Sequence, residues 1–270
     1  MKISAVVLAF NRQKLLNRTL DCLRAQTSPL HEIIVVDNAS TVPLRVPDDI
    51  HLLRIDKAPE GGGISAAKNA GAAAATGDYL LFSYDDTLHL PDAVRCVTRR
   101  MKQLDRDDVL INVLTVPVRM EDSMPSEESL YRQAANCDSE MIRATLAGGR
   151  GGLCFEQHCG LISKRFFNAI GGYDIKFFKS WGLLDQDLCL SVIRNGGVLD
   201  CDVQRANGQP LFCFHQFDTN HPTSKESAAM RDSEFKAKYG YNWEEAWTRR
   251  WALRQLANKE KQIASFLSAG

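Results

Sequence analysis

The first ninety residues alternate between two kinds of pattern. Ile3 to Phe10 is an unbroken apolar run of strand length, and Gln13 to Gln26 carries Leu15, Leu16, Leu20 and Leu23 near helical spacing. Glu32 to Asp37 (Glu-Ile-Ile-Val-Val-Asp) is again a strand, followed by a short strand at Leu52 to Ile55, an alanine-rich helix at Ile64 to Ala75 and a further strand at Asp78 to Tyr84. Strand, helix, strand repeated in this way predicts an α/β fold, a mostly parallel sheet covered by helices on both faces.

After Pro91 a helix is expected to about Gln103, and Val109 to Val118 has the Val, Ile and Leu content of a strand. From Met120 to Arg150 the pattern loosens into polar and acidic residues and ends in a glycine-rich stretch, Gly148 to Gly152, which reads as a mobile or acceptor-facing excursion. A last sheet region, Gly160 to Ile162 and Leu211 to Phe214, brackets Trp181 to Asn195. The tail from Trp243 to Phe266 is helical in composition, with Trp243, Trp247, Trp251 and Leu256 three to five residues apart and charges that lean basic. It is expected to pack on the domain or on a second subunit, with docking to a membrane surface as the alternative.

Composition narrows the classes. A chain of 270 residues with 44% hydrophobic content can bury a sizeable core, and 33 basic against 33 acidic residues leave no global field to draw nucleic acid or anionic lipid. The apolar start of the chain has one positive charge and is too short for a membrane span or a typical signal peptide. Eight cysteines without any C-x-x-C pair suggest reduced thiols in a cytoplasm, and His158 beside Cys159 lacks a second ligand pair at zinc-finger spacing.

The candidate chemistry lies where the run Tyr79-Leu80-Leu81-Phe82-Ser83-Tyr84 ends in two adjacent carboxylates, Asp85 and Asp86. Open α/β sheets bind ligands beyond the carboxyl ends of their strands, and a hard divalent cation on a diphosphate needs carboxylate oxygen there. Asp37 ends another strand at the same edge. It reads either as an acceptor for the imide N–H of uracil or as a turn residue before Asn38. Gly61, Gly62 and Gly63 match no phosphate-loop pattern and read as a flexible turn, with a phosphate cradle as the alternative.

Several blocks in fixed order give the chain a resemblance to the inverting glycosyltransferases of family 2, which have the GT-A fold. They are Val6 to Arg12, Glu32 to Ser40, Gly63-Ile64-Ser65-Ala66-Ala67-Lys68-Asn69-Ala70-Gly71, Asp78 to Asp86, Gly171-Gly172-Tyr173-Asp174, and Trp181-Gly182-Leu183-Leu184-Asp185-Gln186-Asp187-Leu188. The resemblance covers roughly residues 3 to 217. It implies a GT-A domain at 1–217, with a nucleotide-binding half at 1–105 and an acceptor half at 106–217, and a C-terminal helical extension at 218–270.

The resemblance also implies roles. Ala9, Phe10, Asn11, Asp37 and Asp85 would hold the nucleoside, Lys68 would offset diphosphate charge, and Asp86 with His215 would bind Mn2+ or Mg2+, His221 being the alternative histidine. Asp185 would be the base that deprotonates the acceptor. Trp181, Gly182 and Leu184 would face the sugars, Leu184 standing where relatives carry glutamate, and Asn69 would be structural. The expected reaction moves a sugar from a nucleotide sugar, a UDP sugar above others, to an acceptor hydroxyl in glycan or glycoconjugate biosynthesis. The expected place is the cytoplasm, at most peripheral to the membrane, and no nucleic-acid partner is expected. The competing readings are a sugar nucleotidyltransferase and a non-catalytic carbohydrate-binding or assembly protein that kept the fold.

Overall fold

The computed structural model describes residues 1–55, 63–119, 123–136, 158–176, 183–209, 211–217 and 233–240. In chain order the strands are β1 (Ile3–Ala9), β2 (Glu32–Asn38), β3 (His51–Ile55), β4 (Tyr79–Tyr84), β5 (Thr87–His89), β6 (Val109–Asn112), β7 (Leu114–Arg119), β8 (Gly160–Ser163), β9 (Val198–Asp200) and β10 (Phe212–Phe217). The helices are α1 (Gln13–Arg24), α2 (Gly63–Ala74), α3 (Ala93–Leu104), α4 (Glu127–Asn136), α5 (Lys164–Ala169) and α6 (Leu184–Arg194), and residues 233–239 are also helical. Among the described residues no helix is long and apolar enough to cross a membrane.

Seven strands form the main sheet in the order β3-β2-β1-β4-β8-β6-β9. β1 pairs in parallel with β2 and β4, and all seven of its residues are buried, which is why its sequence is apolar without alternation. The sheet is not wholly parallel: β8 runs antiparallel to both β4 and β6. A second sheet of three strands has the order β5-β10-β7.

The run expected as one strand from Val109 to Val118 is two strands. It breaks at Val113, whose N–H donates to the Cys159 carbonyl at 3.1 Å, so that β6 stays in the main sheet and β7 joins the small one. Pro117 is tolerated because β7 is an edge strand.

α1 buries Leu15, Leu16, Leu20 and Leu23 as its pattern predicts, but it stops at Arg24. Gln26, expected inside that helix, instead serves α3: its Oε1 accepts the Val94 N–H at 2.9 Å and its Nε2 donates to the Leu90 carbonyl at 2.8 Å. This satisfies one of the otherwise unpaired amides of the α3 N-terminus. α2 lies against β1 and β2 at Gly71, where a Cβ would stand 2.8 Å from Val36 Cγ2 and closer still to Val6 Cγ1. Within the expected excursion, residues 127–136 form α4, which packs on β7. The rest of the excursion, apart from residues 123–126, and the tryptophan-bearing tail lie outside the described residues. The six described cysteines are free thiols, five of them buried.

Candidate active site

The parallel register of β1 with β2 and β4 sets Ala9 opposite Asp37 and Leu8 opposite Tyr84, so the acids that follow emerge at one sheet edge. Asp85 is fixed there from three sides. Its N–H donates to the Leu8 carbonyl at 2.9 Å, its carbonyl accepts the Thr19 hydroxyl at 2.9 Å, and its Oδ2 accepts the Phe10 N–H at 3.0 Å. Arg12, just past the β1 end, lies 3.5 Å from Asp85 Oδ1 through Nη1, and the same nitrogen donates to Asp86 Oδ2.

Asp86 meets two imidazoles. β10 pairs with β5 so that His215 is opposite Thr87, which brings His215 Nε2 to 3.1 Å from Asp86 Oδ2. His158, just before β8, lies with Nδ1 3.8 Å from Asp86 Oδ1 and 2.7 Å from Thr87 Oγ1. The two imidazole centroids are 4.7 Å apart. Burial, then the Asp86 charge, pushes the Asp85 carboxyl up to about 8. Burial would raise Asp86 too, but the charge and hydrogen bond of His215, with His158 and Arg12, hold it well below the usual carboxylate range. Burial, then His158, drives His89 behind the site down to about 3, so it stands as a neutral imidazole 2.9 Å from Ser83 Oγ.

These residues fit a divalent cation. Asp86, His158 and His215 each offer a ligand atom, all within 4.8 Å of one another, and Asp86 Oδ1 is buried without a hydrogen-bond partner. One carboxylate and two imidazoles suit a divalent transition cation better than Mg2+, which prefers an oxygen shell.

Beside this centre, Asp37 is buried and holds the chain after β2. Its Oδ1 accepts the Ser40 N–H at 2.9 Å, and its Oδ2 accepts the Leu44 N–H at 3.3 Å and Arg54 Nη1 at 2.7 Å. Burial would raise its pKa, but the hydrogen bonds of Ser40 and Leu44 and the charge of Arg54 lower it. Asn11 ties this loop to the β1 end: its N–H donates to Ser40 Oγ at 2.9 Å and its Oδ1 accepts the Thr41 N–H at 2.7 Å. Asn11 and Ala39 both have φ of 58°, a costly conformation for residues with a side chain, held at the ligand edge. Ala9 is buried, whereas Phe10 is exposed at the rim.

Lys68 is placed differently from the expectation of a diphosphate contact. Its ammonium is fully buried and donates to Asp185 Oδ1 at 2.7 Å, to the Tyr84 hydroxyl at 2.7 Å and to the Tyr173 hydroxyl at 3.2 Å. A buried ammonium needs a paired charge and acceptors, and the Asp185 carboxylate with two inward-facing tyrosine hydroxyls supplies them in the core. Asp185, in the first turn of α6, also accepts the Tyr84 hydroxyl at 2.6 Å through Oδ2 and the Tyr173 hydroxyl at 3.2 Å through Oδ1. Leu184 is the buried first residue of α6 and follows Leu183, whose φ is 58°. Trp181, Gly182, Gly61, Gly62 and His221 lie outside the described residues.

Asn69 is structural: its side chain donates to the Tyr173 carbonyl at 2.8 Å and accepts the Tyr173 N–H at 2.9 Å. Sequence reasoning did not include Arg12, Arg54 or His158 in the site. Arg12 and Arg54 carry a weak signal, a cation at or near the end of a strand. For His158 the available signal was its place immediately before a short apolar strand.

A central parallel run of strands, an acidic pair at its carboxyl edge and a carboxylate-bearing helix facing that edge are the layout of a GT-A fold. Residues 4–171 match the family described as Glycosyl transferase family 2, and the chain belongs to that family. An uncharacterized glycosyltransferase, YwdF, of Bacillus subtilis (strain 168) is 25% identical over 187 residues, covering 67% of this chain and 65% of its own. An uncharacterized glycosyltransferase of Haemophilus influenzae is 28% identical over 173 residues, covering 63% of this chain and 55% of its own. Among solved structures, S. aureus TarS superposes with a TM-score of 0.55 at 13% identity, over 100% of this chain and 49% of TarS. TarS 1-349 in complex with UDP gives a TM-score of 0.53 at 14% identity, over 89% of this chain and 72% of that one. At that identity the likeness is one of fold. The chain thus spans less than two thirds of the length of both relatives and half of full TarS.

Proposed function

We propose that the chain is a metal-dependent inverting glycosyltransferase that moves a sugar from a UDP sugar to an acceptor hydroxyl in glycan or glycoconjugate biosynthesis. The observation that carries this reading is the convergence of Asp86, His158 and His215 beside Asp85 at the sheet edge. Mn2+ bound there would neutralise charge on the departing diphosphate. Asp85 and Asp37, with Ala9, Phe10 and Asn11, position the nucleoside, and a uracil imide reaching Asp37 takes over the oxygen that Arg54 holds. The UDP bound to TarS, on the same fold, supports that donor class.

In the transfer, the acceptor oxygen attacks the anomeric carbon from the face opposite the diphosphate. The carbon–oxygen bond to the diphosphate breaks with its electron pair on that oxygen, and the acceptor proton passes to the Asp185 carboxylate. Residues 1–217 form the transferase unit in this reading. Its expected halves share both sheets, since β4 pairs with β8 and β5 with β10. The test is release of UDP from a panel of UDP sugars with Mn2+. Asp86→Ala is expected to abolish donor hydrolysis and transfer together, whereas Asp185→Asn keeps donor binding and stops transfer. Release of UDP that persists without metal and in the Asp86 variant would overturn the reading.

A further inference from the structure

Four motifs that are far apart in sequence meet beside the cation site, where the Tyr84 ring packs 4.9 Å from that of His158 and Lys68, Tyr84, Tyr173 and Asp185 are buried. Lys68 comes from α2, Tyr84 from the end of β4, Tyr173 from the glycine turn after α5, and Asp185 from α6. The ammonium of Lys68 lies 4.1 Å from the Tyr84 ring centroid, 4.8 Å from that of Tyr173 and 5.8 Å from that of Phe82, so aromatic faces surround the ion pair. The Tyr173 end is braced by the two hydrogen bonds it makes with Asn69, one donated and one accepted, and at Gly172, with φ of 66°, a Cβ would stand 2.8 Å from Asn69 Oδ1.

A buried ion pair contributes little net stability compared with an apolar pair of the same shape, so packing alone does not account for a lysine here. What it supplies is direction. Three donors approaching along fixed lines leave the Asp185 carboxylate one orientation, and Tyr84, which makes one of those bonds, is the backbone neighbour of Asp85.

We propose that Lys68 is a positioning residue for the acceptor side of the reaction: with Tyr173 it aims the Asp185 carboxylate, and Tyr84 couples that aim to the aspartates that hold the donor. This rests on the reading of Asp185 as proton acceptor. It separates Lys68 from a diphosphate cation, because a lysine on the diphosphate would govern donor affinity, whereas a lysine on the base governs turnover.

The experiment compares Lys68→Met, Lys68→Arg, Tyr84→Phe and Asp185→Asn by calorimetric titration with UDP and Mn2+, by kcat and donor KM for transfer, and by melting temperature. Lys68→Met is expected to keep UDP affinity within about twofold while kcat falls about 100-fold, the loss that a misaimed catalytic group brings. Lys68→Arg recovers part of kcat. Tyr84→Phe keeps the ring against the ammonium and lowers kcat about tenfold, so it carries the test if Lys68→Met does not fold. A Lys68→Met protein with UDP affinity weakened tenfold and kcat unchanged would overturn the inference, as would Tyr84→Phe and Lys68→Arg proteins that both turn over like the parent. Transfer retained by Asp185→Asn would overturn the base reading and this inference with it. An inactive Asp185→Asn beside a fully active Lys68→Met would overturn the inference alone.

Discussion

Gly71→Ala is the substitution that separates helix propensity from packing. In an exposed helix the change would stabilise by about 1 kcal/mol, because alanine is the better helix former. In α2 the new Cβ would fall 2.8 Å from Val36 Cγ2 and nearer to Val6 Cγ1. Both neighbours are stiff β-branched side chains on central strands, buried on every side, and neither can turn away. The helix must lift, at an overpacking cost of about 1–3 kcal/mol or more. With contacts this short the cost lies at the upper end of that range, and the net effect is a loss of about 1–2 kcal/mol, read as a fall in melting temperature of roughly 2–8 °C for a domain of this size. Lys68 lies one turn before Gly71, so the lift also draws its ammonium away from Asp185 and lowers transfer. Thermal melting of Gly71→Ala, Val6→Ala and the double variant is the assay, and the double variant should lose less than the two single losses together. A Gly71→Ala protein melting at or above the parent would refute the close approach of α2 to the sheet.

Three further outcomes are expected. Asp37 has its folded pKa lowered from 3.8, so it stabilises above that pH and the contribution is lost as pH falls through the folded value. The gap in melting temperature between the parent and Asp37→Asn should therefore be present at pH 7 and shrink at about pH 3.5. His158→Ala should weaken Mn2+ binding in calorimetry by about tenfold or more, and unchanged affinity would remove His158 from the cation site. Lys238 bridges Asp187 Oδ1 at 2.7 Å and Asp174 Oδ2 at 2.8 Å, so it fastens the helical segment 233–239 to α6. Lys238→Met should cost about 3 kcal/mol and expose residues 233–240 to protease, and Asp187→Asn should recover part of that loss, since it removes a buried carboxylate that has lost its cation.

The elements legible in the sequence are those whose burial writes a pattern. β1, β2, β4 and α1 fall within about two residues of the expected bounds, because a strand covered on both faces is apolar throughout and a helix on a sheet is striped. β5 and β9 have three residues each, too few for any period to register. The division at Val113 was hidden for a different reason. A continuous apolar run looks the same whether the chain stays in one sheet or crosses to another.

The site divides in the same way. That Asp85, Asp86 and His215 come together was legible because strand ends converge by topology. His158 joins them only through the antiparallel placement of β8, which no local pattern encodes. Lys68 was expected at the diphosphate because a cation at a helix start beside a nucleotide edge suggests phosphate. Its partners, the Asp185 carboxylate and the hydroxyls of Tyr84 and Tyr173, are visible only once the core is assembled.

The most direct measurement is anomalous diffraction at the manganese edge from crystals grown with Mn2+ and UDP. The account predicts one strong peak ligated by Asp86, His158, His215 and the diphosphate, with the ribose against Asp85. A bound UDP with no peak at those three side chains, or a manganese held elsewhere, would contradict it.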